Sequence, residues 1–224
     1  MMLSMAGFIL NDTCMKLVFP DIGLFQAIFI RGLFATTFMT LLAYRMKVLN
    51  PPIGAWKTAT QPVVIWRTLS EIGATVFFLT ALFNMNVANV TAVLQLLPLT
   101  ITLGAALIFG ETVGWKRYGA IIVGFLGVLL IVRPGTEGFN IFSLSALAAT
   151  ACVTARDLIT RKLPKETPSV FISLLTAGSI TLMGAVGSLF TPWSPVSTTN
   201  LLILAAGASI LMVGYICSIL AMRE

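Results

Sequence analysis

Histidine is absent from this chain of 224 residues. That removes the commonest metal ligand and the commonest general base, and with them the His-Glu-x-x-His zinc proteases. Charge is scarce too, at 10% of residues. Asp12, Asp21 and Asp157 are the only aspartates. They supply neither the paired aspartates of an intramembrane aspartyl protease nor the Asp-rich motifs of lipid-head-group and prenyl transferases. Cys14, Cys152 and Cys217 all fall in apolar runs without a Cys-x-x-Cys spacing, so neither a disulfide nor a metal framework is expected. No cofactor and no catalytic residue is expected, and the chain does not read as an enzyme.

What is present is apolar surface. The chain is 58% hydrophobic, with a mean hydropathy of +0.98. A soluble domain carries far more charge, so the composition places the chain in a lipid bilayer. Apolar runs recur along its whole length without a long linker or low-complexity tail, so the first run is read as a retained membrane helix and not a cleaved signal. The net charge is +6. Its basic residues stand singly at helix ends and are not interleaved with aromatics, which argues against nucleic acid.

A spanning helix needs about 20 apolar residues. Eight candidates occur, near residues 2–19, 22–44, 64–83, 88–109, 115–132, 140–160, 169–190 and 200–222. Proline and glycine break the chain between them, at residues 19–21, 50–52, 133–135, 163–165 and 191–195. Alternate connections are basic. Arg45, Lys47 and Lys57 fill one, Lys116 and Arg117 another, and Arg161, Lys162 and Lys165 a third. The intervening connections hold only Arg133. The basic set belongs on the cytoplasmic side, which puts the N-terminus inside.

Two charged segments set a register. LNDTCMKLVFP (residues 10–20) and ARDLITRKLP (155–164) both read Asp-x-x-x-(Lys/Arg), and an offset of 145 lays Asp157 on Asp12 and Arg161 on Lys16. Two unrelated helix ends with i,i+4 charge pairs would give the same pattern. FLTALFN (78–84) and SILAMRE (218–224) match at an offset of 140. A five-helix repeat is odd in number, so its copies lie inverted, as in many secondary transporters. The expected fold is therefore an all-α polytopic membrane protein with eight of ten helices visible, in inverted five-helix repeats present as 5+3. Residues 1–135 form the first repeat and 139–224 an incomplete second. Equal halves would reach roughly residue 275–290, so the sequence reads as truncated at its C-terminus.

The stretch TALFNMNVANVTAVLQLLPLTITLGAALIFGETVGWKRYGAIIVGFLGVLLIVRPG (80–135) resembles the EamA family of the drug/metabolite transporter superfamily. The matching elements are the Ala-Leu closing the third helix, Pro98 in the fourth, Gly110-Glu111 at its end, the glycine-rich fifth helix and Arg-Pro-Gly after it. Arg31 in FIRGLFA is similar to an arginine often found in the second helix, and ARDLITRKLP to a subgroup of bacterial members. The resemblance implies ten helices in two inverted halves and transport of small metabolites across the bacterial inner membrane. The second Pro…Gly-Glu element of the family is missing here.

Charges inside the membrane are functional candidates. Arg31 lies roughly nine residues, about 14 Å, into its helix. Asp12, with Asn11 beside it, lies at similar depth, and an Asp12–Arg31 pair is expected. Lys16 is expected at the outer interface. Thr91, Gln95, Pro98 and Thr102 share one face of the fourth helix, and a proline there permits a bend. That stripe lines a cavity or glues helices. Thr150, Thr154, Asp157 and Arg161 share a face of the sixth helix and form a gate element or a headgroup anchor. Arg67 and Glu71 stand four apart as a local ion pair, and Glu71 is also a candidate proton-linked carboxylate. Tyr215 and Trp66 stack on a substrate or anchor at an interface. Glu111 is read as structural, and Gly119, Gly124 and Gly127 as points of close helix approach. The expected partners are the lipid bilayer and a small-molecule substrate, with a homodimer left open. The leading reading is a secondary carrier working by alternating access. A non-catalytic membrane subunit or inactive fragment is the alternative, ahead of an intramembrane enzyme.

Overall fold

Proline and glycine place the breaks, and apolar sequence fills the intervals with helix. A computed structural model describes residues 2–46, 60–112, 114–132, 141–163 and 169–221. Among them the order is α1 Met2–Val18, α2 Leu24–Arg45, α3 Pro62–Asn84, α4 Val87–Leu94, α5 Leu97–Phe109, α6 Trp115–Val132, α7 Phe142–Thr160, α8 Ser169–Leu189 and α9 Thr198–Ala221. No strand occurs among the described residues. The expected breaks at 50–52 and 133–135, the Pro-Lys of 163–165, and Lys47, Lys57, Arg133 and Lys165 lie outside them.

Local chemistry explains the ends. Pro62 opens α3 in its first turn, where a missing N–H costs nothing. Gly110 closes α5 with φ 66°, a left-handed cap that suits glycine. The fourth helix is not continuous as expected. It is interrupted at Gln95–Leu96, because Pro98 has no N–H to give the carbonyl of residue 94. The chain tightens there, with Leu96 N–H bonded to Val93 at 3.1 Å and Leu99 N–H to Leu96 at 2.9 Å. Five segments are long and apolar enough to cross a membrane: Leu24–Arg45, Pro62–Asn84, Val87–Phe109, Phe142–Thr160 and Val170–Leu189. The protein is thus a polytopic helical membrane protein, with five such spans among the described residues against the eight expected.

The chain forms two compact units, Met1–Lys57 with Glu166–Glu224, and Thr58–Lys165. In the first, α2 packs on α8, α1 on α9, and α9 on α2. The α2–α8 contact is antiparallel and close. Gly32 faces Thr181, Gly184 faces Ile28 and Phe29, and Gly187 faces Phe25, so that a Cβ at any of the three would collide. Small residues draw membrane helices together in this way, because lipid removes the hydrophobic drive for association. Thr36 and Thr181 share a hydroxyl hydrogen bond of 2.8 Å across the contact. Ala35, Met39 and Met212 form a core with Leu42, Leu174 and Leu211 around it.

In the second unit α7 is the hub, packed on α3, α4 and α5, while α6 touches α4 and α5. Its core is Ala81, Met85, Val90, Val93, Leu96, Val128 and Ala146. Of the three α6 glycines, only Gly124 meets a neighbour, the side chains of Leu99 and Leu96. A Cβ on Gly119 or Gly127 would meet nothing within 4 Å among the described residues, so of the expected close approaches only that at Gly124 is seen there. Gly73 against Cys152 and Gly104 against Leu158 are the close contacts of α3 and α5 with α7.

Candidate functional site

Among the described residues each unit holds a group of polar side chains within its helices. In the first, α1 turns Asn11 and Asp12 inward. Asn11 is buried, at 2% exposure. Its amide nitrogen donates to Asp12 Oδ1 at 3.1 Å. That fixes the amide orientation, since only the NH2 end can face a carboxylate. Asn11 Oδ1 then points away, is buried, and has no hydrogen-bond partner among the described residues. It faces α9 at Gly207, lying 3.6 Å from where a Cβ would stand. Arg31 on α2 lies within electrostatic reach of Asp12. Lys16 is half-buried in the last turn of α1.

At one end of this unit the α8–α9 connection is strapped to α2. Gln26, 1% exposed, donates to the Ser194 carbonyl at 2.8 Å and accepts from Ser194 N–H at 3.0 Å. Asn200 donates to Asp21 Oδ2 at 2.8 Å. Phe29 meets Trp193 edge-on with ring centroids 6.2 Å apart.

In the second unit the cluster centres on Arg156 of α7. Its Nη1 donates to both oxygens of Glu71 on α3, at 3.1 Å each. Its Nε donates to Asp157 Oδ1 at 2.8 Å. Glu71 is the most enclosed of the three, its side chain 12% exposed. Arg67 Nε donates to Thr160 Oγ1 at 3.1 Å, so α3 and α7 are joined at two successive levels. Glu71 thus has Arg156 of α7 as an ion-pair partner, and Arg67, expected beside Glu71, reaches α7 through Thr160.

The polar stripe divides at the α4–α5 break. Thr91 donates to the carbonyls of Val87 and Ala88, and Thr102 to that of Pro98. Gln95 and Pro98 are exposed. It is Thr100 that reaches α7, meeting Thr154 at 2.7 Å. Thr154 also donates to the Thr150 carbonyl. Beyond Gly110, Glu111 pairs with Arg161 at 3.1 Å, both exposed, and Lys162 lies over the Phe109 ring. Trp66 is exposed. The Tyr215 side chain lies outside the described residues. No group of His, Cys, Asp and Glu among the described residues could hold a metal ion.

Arg156, Thr100, Gln26 and Asn200 are absent from the residues expected on sequence grounds. Arg156 had a signal: it precedes Asp157 directly and stands four before Thr160, on the face that turns to α3. The others had none, since each depends on a partner distant in sequence.

Apolar spans around buried, internally paired charges mark a multi-pass membrane protein. The sequence pattern of the EamA-like transporter family matches residues 1–133. The chain belongs to that family. It is 25% identical to an S-adenosylmethionine uptake transporter of Rickettsia prowazekii over 197 residues, covering 86% of this chain and 65% of that protein. It is 29% identical to a riboflavin transporter of Vibrio cholerae over 108 residues, 48% of this chain and 36% of that protein. A riboflavin transporter of Rhizobium johnstonii is 28% identical over 179 residues, 72% and 52% of the two chains. The chain thus spans less than two thirds of the length of these curated relatives. No solved structure matches it.

Proposed function

We propose that the protein works as a secondary carrier, moving a small metabolite across a bacterial inner membrane by alternating access. Its N-terminus is cytoplasmic, its helices form two inverted repeats, with residues 1–135 in one and 139–224 in the other, and no chemical step is involved. Eight of its helices span the membrane, α4 and α5 acting as one. Its working partners are the bilayer and the solute.

One observation carries the repeat. The offset of 145 that lays Asp12 on Asp157 also lays Thr36 on Thr181, and those two hydroxyls meet at 2.8 Å. A residue that touches its own equivalent lies at a two-fold axis. The packing around it supports the same reading. Phe29 meets Gly184. Leu174, the equivalent of Phe29, packs on the cluster that holds Met39, the equivalent of Gly184. Asn11 donates to Asp12 as Arg156, its equivalent, donates to Asp157. Inverted repeats of this kind supply alternating access by rocking one half against the other.

The relatives name two solutes, S-adenosylmethionine and riboflavin. The former accompanies the wider coverage of this chain, and it is the first solute to test. Uptake of labelled S-adenosylmethionine and riboflavin into proteoliposomes is the measurement. Saturable flux of one, suppressed by its unlabelled form, is expected. Absence of flux for any metabolite in a broad exchange screen would remove the carrier reading.

A further inference from the structure

The basic residues of the second unit gather where α5 turns into α6 and where α7 ends. Glu111, one residue past the left-handed cap at Gly110, pairs with Arg161 at 3.1 Å and ties the two places together. The Lys162 ammonium lies 5.4 Å from the centre of the Phe109 ring on α5. Lys116 and Arg117 stand in the first turn of α6, five and six residues after Glu111. The Lys116 ammonium lies 5.9 Å from the centre of the Trp115 ring. All four cations are exposed.

Among the described residues of these ends, four cations stand against one acid. Glu111 is already engaged by Arg161. Asp157, one turn inside α7, is engaged by Arg156. No ion pair joins Lys116, Arg117 or Lys162 among the described residues, and stacking on a ring leaves an ammonium its charge. The α3–α4 turn of the same unit, residues 84–87, carries no charge.

Beneath this rim the surface is apolar. Leu107 and Ile108 on α5 are 75% and 57% exposed, and Ile122 on α6 is 60% exposed. All three lie within about two helical turns of the α5–α6 turn. Trp115, 80% exposed, stands at the border, where an indole suits the headgroup region of a bilayer. A cationic rim over an apolar band complements an amphiphile with an anionic head.

We infer that the α5–α6 turn and the end of α7 form a binding site for an anionic phospholipid. Lys116, Arg117 and Lys162 hold its phosphate, and its acyl chains lie along Leu107, Ile108 and Ile122. Each basic residue near a bilayer surface adds about fivefold to the affinity for anionic lipid, which supplies the preference over zwitterionic lipid. The apolar band suits a lipid and does nothing for a free phosphate ion. The bound headgroup bridges α6 to the end of α7, between which no ion pair occurs among the described residues. The site needs neither transport nor a particular orientation in the bilayer.

Quenching by brominated lipid tests it. A variant with Trp56, Trp66 and Trp193 replaced by phenylalanine keeps Trp115 as the reporter. In mixed vesicles with the bromine carried by either phosphatidylglycerol or phosphatidylcholine, Trp115 is expected to find phosphatidylglycerol preferred about tenfold or more. A second variant keeping only Trp193 reports on residues 190–197, which include no basic residue, and is expected to show no preference. Lys116→Gln, Arg117→Gln and Lys162→Gln together, in the Trp115 variant, should remove the preference. Arg45→Gln, at the end of α2 in the other unit, should leave it intact. Native mass spectra of the unaltered chain need no substitution, and should retain phosphatidylglycerol over phosphatidylcholine. Equal binding of the two lipids in either measurement overturns the inference. So does the same preference at Trp193, which would be a property of the whole surface, or a preference that survives the triple substitution. Loss of the preference in millimolar inorganic phosphate, at constant ionic strength, would assign the cations to a free anion and overturn it as well.

Discussion

Arg156 is the residue on which the second unit's charges balance. It serves Glu71 with one arm and Asp157 with the other. Removing the guanidinium takes from the Glu71 carboxylate, enclosed between α3 and α7, the ion-pair partner that joins it to α7, and breaking a buried pair from one side costs more than the pair contributes. Arg156→Gln should therefore lower stability by about 2–3 kcal/mol, below the fully buried range because the side chains keep some exposure. Glu71→Gln added to it should restore most of the loss, since two neutral amides can still bond. A double-mutant cycle on thermal unfolding in detergent reads the coupling. Additive losses would show that the pair carries no energy of its own. The neighbouring sequence told half of this. Asp157 stands out as a charge within an apolar run, and Glu71 likewise. That Arg156 serves them depends on where α7 turns relative to α3, and local spacing could not point to a residue 85 positions away.

At the scale of elements, breaks among the described residues were legible where backbone chemistry forced them. Pro62 and Gly110 each mark a helix end within a residue or two. The α4–α5 interruption is the exception. A proline inside an apolar run reads as a bend, and whether the helix merely bends or stops depends on what packs against it. Glycines show the same limit. Their spacing on α6 suggested contact at three positions, yet among the described residues only Gly124 has a neighbour, whereas the glycines of α2 and α8 drew no attention and carry a close helix–helix contact. This makes opposite predictions for one substitution. Gly184→Ala puts a methyl 2.8 Å from the Phe29 backbone nitrogen, and backbone cannot rotate aside. It should destabilise by about 1–3 kcal/mol, the usual cost of overpacking. Gly127→Ala meets nothing within 4 Å. It should stabilise by about 0.5–1 kcal/mol through helix propensity. Parallel melting curves of the two variants check both signs, and a loss at Gly127 equal to that at Gly184 would contradict the packing.

For the whole molecule, a carrier must open at either end in turn, so a closed end needs bonds that break at modest cost. The first unit has a set of that kind at the α1–α2 end. Gln26 grips the backbone of Ser194 with a matched donor and acceptor, and Asp21 accepts from Asn200. These are neutral or singly charged hydrogen bonds, each contributing roughly 0.5–3 kcal/mol. Two or three of them can hold a gate without sealing it. Under the proposed orientation, with the N-terminus cytoplasmic, this end faces outside, and the strap is proposed as an outer gate. Joining Gln26→Cys to Ser194→Cys with a bis-maleimide, in a background where Cys14, Cys152 and Cys217 are replaced, should then abolish flux while leaving the protein folded. A cleavable linker should return flux to the uncross-linked rate once cut. Gln26→Ala should act oppositely, favouring the outward-open form and raising labelling of a cysteine placed at Phe29 by a membrane-impermeant thiol reagent. Cross-linked protein that transports at the normal rate would mean that the Gln26–Ser194 contact persists through the cycle. The strap would then be a fixed brace, and the moving boundary would have to lie elsewhere in the molecule.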